Sequence, residues 1–110
     1  MGSVPSFHSF PVAYSAKEGN KWFVVVDGKE QKHYDITLKG GLLFSPDSKH
    51  VAYGVLAGKK QFVVVDGKEG KQYDGIVHNG GGTVIFDSPN TLLYLVLKGS
   101  SIYLVEEKLK

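Results

Sequence analysis

"FVVVDGKE" fills residues 23–30, and the same eight letters return at residues 62–69. Sliding the chain by 39 residues also brings Val12-Ala13-Tyr14 onto Val51-Ala52-Tyr53, and Tyr34-Asp35 onto Tyr73-Asp74. Ser6 and Ser9 fall on Ser45 and Ser48. A third, looser copy follows. "LLFSPDSKHVAY" at 42–53 is answered by "VIFDSPNTLLY" at 84–94, and "GKKQFVVVD" at 58–66 by "KGSSIYLVE" at 98–106. Phe44 and Phe86 stand 42 residues apart, the extra three being supplied by Gly75 and the longer "HNGGG" at 78–82. A fixed period of this length marks a chain built from one supersecondary unit used repeatedly.

Within a copy the pattern is strand. In the middle copy Gly41–Phe44, Val51–Leu56, Gln61–Val65 and Gln72–Val77 are short runs rich in Val, Leu, Phe and Tyr, and Thr83–Phe86 opens the next copy. The runs are divided by "SPDSK", "AGKK" and an Asp66-Gly67 pair. Proline fixes one torsion and Asp and Ser bond nearby backbone in the first of these turns. Asp-Gly is a hairpin signal, because a two-residue hairpin loop needs positive φ at its centre. No stretch carries a capped helical period. A solid run of valines suits a strand covered on both faces, since a strand wet on one face alternates. Four antiparallel strands in about 40 residues, repeated, is the pattern of a β-propeller blade. A β-solenoid competes, but its coils are shorter and less hairpin-like.

"FSPDSKHVAYG" at 44–54, followed by "FVVVDGKEGKQYDGI" at 62–76, resembles the TolB-type, WD-like β-propeller repeat of bacterial and archaeal proteins. The F-S-P-D-S/G-x-x-hydrophobic-A-Y core is matched at Phe44–Tyr53. The resemblance extends over nearly the whole chain, and it is closest in the middle copy. The first copy departs from it, with "SFHS" at 6–9 in place of "SPDS". What the resemblance implies is a fold. It is nearly silent on function, because such propellers serve as binding platforms, scaffolds and accessory domains of enzymes.

The expected architecture is therefore all-β, with four-stranded antiparallel blades at about residues 1–40, 41–80 and 81–110 and a first strand in Gly2–Pro5. The total, about eleven strands, is just under three blades, too few to close a ring. Closure by homo-oligomerisation follows, with two chains giving the six blades the resemblance implies. A trimeric ring, or a fragment of a longer propeller, are the alternatives. Ser3–Phe10, "SVPSFHSF", is the candidate for the missing fourth strand of the last blade.

Composition narrows the function classes. All thirteen basic residues are lysine and the net charge is +2. Arginine forks onto phosphate and onto guanine edges, so a chain without it is a poor candidate for nucleic acid. Lysines alternate with acids in "KEGNK" and "DGKEQK", as on a solvated surface. No apolar run approaches the roughly 18 residues of a spanning helix, so no membrane partner is expected. No basic segment followed by an apolar one opens the chain. The default expectation is cytoplasmic, or exported if "MGS" stands where a leader was removed. Without cysteine there is no thiolate ligand, disulfide or thiol nucleophile.

Candidate chemistry is thin. His8, His33, His50 and His78 lie too far apart in sequence for a metal motif, and His33 and His50 align with Gln72 and Pro11. They are expected as surface or loop residues. Asp66, Glu69 and Asp74 lack the alternation and closing glutamate of an EF-hand, and Asp27, Glu30 and Asp35 repeat them as a hairpin requirement. The recurring Tyr-Asp pairs suggest a packing and hydrogen-bond feature. "HNGGGT" at 78–83 precedes no helix and is no phosphate loop. No catalytic set, metal site or cofactor is expected. Any ligand belongs to the ring of loops around a channel, where the candidate contacts are Lys17, Glu18, Asn20, Lys39, Lys59, Lys60, His78, Asn79 and Lys98. Lysine outnumbers acid there, which suits an anionic ligand or acidic peptide. The resulting expectation is a non-catalytic, self-associating platform for protein interaction. A ligand-binding or accessory domain of a larger exported protein or enzyme, and an engineered or reconstructed repeat chain, remain open beside it.

Overall fold

The computed structural model describes residues 12–38, 42–77 and 84–109. These residues are all-β. They form three antiparallel sheets, each built on a long central hairpin. The first sheet joins β1 (Ala13–Glu18), β2 (Lys21–Val26) and β3 (Lys29–Glu30) in chain order. The second contains β4 (Ile36–Thr37), β5 (Leu43–Phe44), β6 (Val51–Ala57), β7 (Lys60–Val65) and β8 (Lys68–Glu69). The third contains β9 (Gly75–Ile76), β10 (Ile85–Ser88), β11 (Thr91–Lys98) and β12 (Ser101–Lys108). Among the described residues no helix is long and apolar enough to cross a membrane.

Two kinds of tight turn set the registers. Asp27-Gly28 and Asp66-Gly67 have φ of 50° and 83°, and 51° and 83°. Both central residues are thus left-handed, as a type I′ hairpin requires. The β1–β2, β6–β7 and β11–β12 hairpins instead place only Gly19, Gly58 or Gly99 at positive φ, at 62°, 64° and 63°. One left-handed glycine at the first central position is the type II′ pattern.

The middle sheet is buried on both faces, as its valine run predicted. Tyr53, Val55, Phe62 and Val64 pack with Val24 and Tyr34 of the first-sheet side. Ala52, Val63 and Val65 pack with Leu92, Tyr94 and Val96 of the third sheet. Adjacent residues of β7 therefore serve different cores, which is the period-two alternation of a strand with no wet face.

Three sequence expectations need correction. The fourth run, Gln72–Val77, is not one strand. Tyr73 bridges Gln61 of the second sheet, whereas Gly75 and Ile76 pair with Leu97 and Val96 of the third. The chain changes sheets at Asp74, and equally at Asp35, between the Tyr34 bridge to Trp22 and the pairing of Ile36 with Leu56. Covering of the third strand starts earlier than expected, at β3 and β8. The alignment of the third copy also shifts by one residue. Gly58 corresponds to Gly99 and Phe62 to Tyr103, because Ala57↔Lys60 and Lys98↔Ser101 close equivalent hairpins. A one-residue slip exchanges the two faces of a strand, so this sets which third-sheet residues point outward. Gly2–Pro5 and Ser3–Phe10 lie outside the described residues.

Phe62 stands edge-on to Tyr34 across the first sheet boundary, with ring centroids 5.6 Å apart. Gly54 sits beneath Leu38, where a Cβ would meet Leu38 Cδ1 at 2.8 Å. Leu38 is flexible enough to move for a methyl group but not for a branched side chain. Gly54→Val should cost about 1–3 kcal/mol in urea unfolding, and Gly54→Ala clearly less.

Candidate functional site

The hairpins between long strands lie in a row along one rim, and the Tyr-Asp pairs tie them together. Asp35 follows the last residue bridged to the first sheet. One carboxylate oxygen takes the Lys21 ammonium of that sheet, and the other accepts the Gly58 amide of the next hairpin at 2.7 Å. One repeat later Asp74 accepts Lys60 Nζ at 2.8 Å and the Gly99 amide at 2.7 Å. Each aspartate thus bonds the hairpin behind it and the hairpin ahead. The Lys21 hydrogen bond, then the Gly58 amide, lowers the Asp35 pKa. The Gly99 amide, then Lys60, lowers that of Asp74. The recurring Tyr-Asp pair is a hydrogen-bond feature of sheet joining.

Of the sequence-predicted contacts, Lys17, Glu18, Asn20, Lys59, Lys60 and Lys98 stand on this rim. Lys39, His78 and Asn79 lie outside the described residues. The rim is less cationic than expected, because Asp35 and Asp74 belong to it and hold Lys21 and Lys60. Lys17 lies 5.7 Å from the Trp22 ring centre, in range of a cation–π contact. The sequence conceals this, because Asp35 and Asp74 follow apolar letters like any strand residue and nothing marks them as crossing points.

The tyrosine of the first pair does separate work. Tyr34 Oη donates to Glu69 Oε2 at 2.7 Å, and Lys32 Nζ reaches the same oxygen at 3.0 Å. Glu69 stands opposite Val64 in the next sheet, so this contact joins two sheets along their outer strands. Burial, and then the Glu69 hydrogen bond, raises the Tyr34 pKa strongly. Tyr34, then Lys32, lowers that of Glu69.

On the opposite rim Asp66 accepts the Val51 amide at 3.0 Å and meets His50 Nδ1 at 2.6 Å. Asp27 accepts the Val12 amide at 2.9 Å in the first copy. His50 is only 15% exposed, and so less of a surface residue than the sequence suggests. His33 stacks on Phe23 at 4.2 Å. His8 and His78 are outside the described residues. Ser45 donates to Asp47 and its oxygen accepts the His50 amide at 3.0 Å, closing the "SPDSKH" turn. Ser45, Asp47, His50 and Asp66 therefore form a turn and a hydrogen-bonded His-Asp pair, with no hydroxyl held by the imidazole among the described contacts. Asp66, Glu69 and Asp74 each turn to different partners, and no cluster of three metal-ligating side chains occurs among the described residues.

These bonds have consequences for exchange and for pH. Asp35→Ala should speed hydrogen exchange at the Gly58 amide and leave Gly99 unchanged, and Asp74→Ala should do the reverse, both read by amide exchange NMR. The depressed carboxylates also set an acid limit. Asp35, Asp74 and Glu69 favour the folded state fully above their ordinary values of 3.8, 3.8 and 4.5. That contribution is lost as pH falls below those values and through the lower folded ones. Tyr53, raised to about 12 by burial, acts at the other end. Its neutral form is favoured on folding, so stability falls as pH rises from 10 towards 12. Thermal melts should thus hold a plateau from about pH 5 to 9, with losses on both sides.

Comparison with known proteins finds no matching family model, curated protein or solved structure.

Proposed function

We propose that this chain supplies just under three blades of a TolB-like β-propeller, associates head to tail into a closed ring and serves as a non-catalytic platform for protein interaction. The observation that carries this reading is a mismatch between equivalent positions. Tyr53 in the middle sheet is 2% exposed, while its first-copy counterpart Tyr14 is 53% exposed. Val63 is 1% exposed, while its third-copy counterpart Leu104 is 64% exposed. The third sheet thus ends the stack in an open face whose residues are the kind its interior buries, while on the outer face of the first sheet Tyr14 is exposed beside Phe23 and Val25, each 6% exposed. On the third sheet Ile85, Leu97, Ile102 and Leu104 are all exposed. The register sets Ile85 against Leu93 and Leu97 against Ile102 on one face. A contiguous apolar face of this kind marks an interface. The Leu104 side of the third sheet and the Tyr14 side of the first correspond to the two sides of an internal sheet-to-sheet contact, so on this reading a second copy would extend the stack by the same packing around Tyr14. Such an interface is heterologous and gives a ring if the rotation closes.

Light scattering behind size exclusion tests this directly. Twice the chain mass, stable on dilution, is expected for a ring of two chains. Three times the mass replaces the dimer by a trimer, and a folded monomer overturns ring closure. The rim lined by Lys17, Lys59 and Lys98 would then surround the channel and supply the platform's contact surface.

A further inference from the structure

The repeated octapeptide places one chemical unit in two surroundings. "FVVVDGKE" occupies 23–30 and 62–69, so Asp27-Gly28 and Asp66-Gly67 have the same neighbours in sequence. They share their backbone as well, since both are type I′ turns with an exposed aspartate. Each Asp amide donates to the strand alongside, Asp27 to Val12 O at 2.8 Å and Asp66 to Val51 O at 2.9 Å. The two turns differ in how the carboxylate is held.

Asp66 is held at both oxygens. Oδ1 accepts the Val51 amide at 3.0 Å, and Oδ2 meets His50 Nδ1 at 2.6 Å. His50 is fixed in turn by its own amide, which donates to Ser45 Oγ at 3.0 Å, and its side chain is largely buried. In the first copy Oδ1 of Asp27 accepts the Val12 amide at 2.9 Å, and Pro11 stands in the place of His50. Proline brings neither an imidazole nor an N–H. Among the described residues Asp27 has no second side-chain partner. Its turn is also the more open. A Cβ at Gly67 would meet Gln31 Oε1 at 3.6 Å, whereas one at Gly28 would meet nothing within 4 Å.

We propose that Asp27 is a site of spontaneous isoaspartate formation in the folded chain, and that the His50 contact withholds Asp66 from the same reaction. Glycine offers no side chain to obstruct approach to its amide nitrogen. Gly28 N bonds to Asp27 Cγ, the Cγ–O bond breaks, and the carboxyl hydroxyl leaves with the amide proton as water. Water then opens the five-membered imide. Opening at the α-carbonyl leaves the backbone running through Cγ, with one water lost and one regained. Before the first bond can form, the side chain has to leave its partners and turn Cγ toward the next amide. Asp66 must also give up a charge-assisted hydrogen bond that Pro11 cannot offer Asp27, which slows it about tenfold. The product adds a methylene to a two-residue loop. That loosens the pairing of Val26 with Lys29 and of Val25 with Glu30, because the tight hairpin geometry no longer holds. The reaction does not depend on ring closure.

The full chain, aged at neutral pH for several weeks and then cut after lysine, yields "WFVVVDGK" from 22–29 and "QFVVVDGK" from 61–68. Isoaspartyl forms separate by chromatography at unchanged mass and are assigned by electron-transfer fragmentation. The first peptide should accumulate isoaspartate about tenfold faster than the second. Aged in urea, the two should react at the same rate, since their local sequences agree. His50→Ala should raise Asp66 to the rate of Asp27, whose own unchanged rate shows the fold intact. Equal rates in the folded parent, or a faster Asp66, would overturn the site, and that comparison needs no variant. An Asp66 rate unmoved by His50→Ala would overturn the role given to His50.

Discussion

Replacing Phe62 by alanine should remove about 3–5 kcal/mol of stability, the cost of deleting a fully buried phenyl ring. Phe62 is 2% exposed and belongs to the core between the first two sheets, with Tyr53, Val55 and Val64 beside it and Tyr34 edge-on. No flexible neighbour is placed to fill the cavity, because β6 and β7 are also packed from their other face by the third sheet. Relaxation toward the hole would disturb that second core. For a domain of this size the loss corresponds to a fall in Tm of roughly 12 °C or more. Lys59→Ala, on an exposed hairpin away from the open third-sheet face, should shift stability by less than about 0.5 kcal/mol. Urea unfolding of both variants checks the pair. Similar losses in the two would mean that the sheet-to-sheet contact does not carry the fold. A biphasic curve for Phe62→Ala would show that the first sheet separates from the other two, as repeat architectures with nearest-neighbour coupling allow.

The sequence discloses the strand class, the hairpins and the two-sided burial of the valine run because each has a local physical signature. Asp66-Gly67 states its turn in two letters, and Val63-Val64-Val65 is too apolar for a half-wet strand. The change of sheet at Asp35 and Asp74 leaves no such trace. Two-residue strands such as Ile36–Thr37 and Gly75–Ile76 are too short to display a period, and their partners lie in the following copy. Tyr34 and Ile36 are close in sequence yet pair with different sheets, which no pattern along the chain expresses. Letter matching sets the third copy one residue out of place because "IYLVE" has nothing in common with "QFVVVD" at the strand's start. Its register becomes fixed only through Gly99, whose positive φ matches that of Gly58. Of the candidate site, the lysines of the hairpin rim are legible and the aspartates that hold Lys60 and the neighbouring Lys21 are not. The repeat itself holds the missing signal: a Tyr-Asp pair recurring in phase with a hairpin glycine of the next copy.

Leu104→Lys should weaken self-association by more than about a hundredfold while leaving the fold intact, because it places an ammonium where the proposed contact would bury an aliphatic side chain. Leu104 is already exposed in the single chain, so the substitution costs the monomer little. Light scattering should then give the chain mass at concentrations where, on the proposed reading, the parent associates. Tyr14→Glu should have the same effect from the other face. The decisive experiment mixes the two variants. In a head-to-tail ring of one chain of each kind, one interface brings the new ammonium at position 104 to the new carboxylate at position 14 of the neighbour. The second interface joins two unmodified faces. Opposite charges replace the lost contact at the first, so the mixture should recover association that neither variant shows alone. A two-fold interface that pairs like faces predicts the reverse. There the third-sheet face would meet another third-sheet face, the Leu104→Lys chain could form no pair, and mixing would rescue nothing. Recovery in the mixture therefore supports head-to-tail closure, and its absence, with both variants folded, would exclude it.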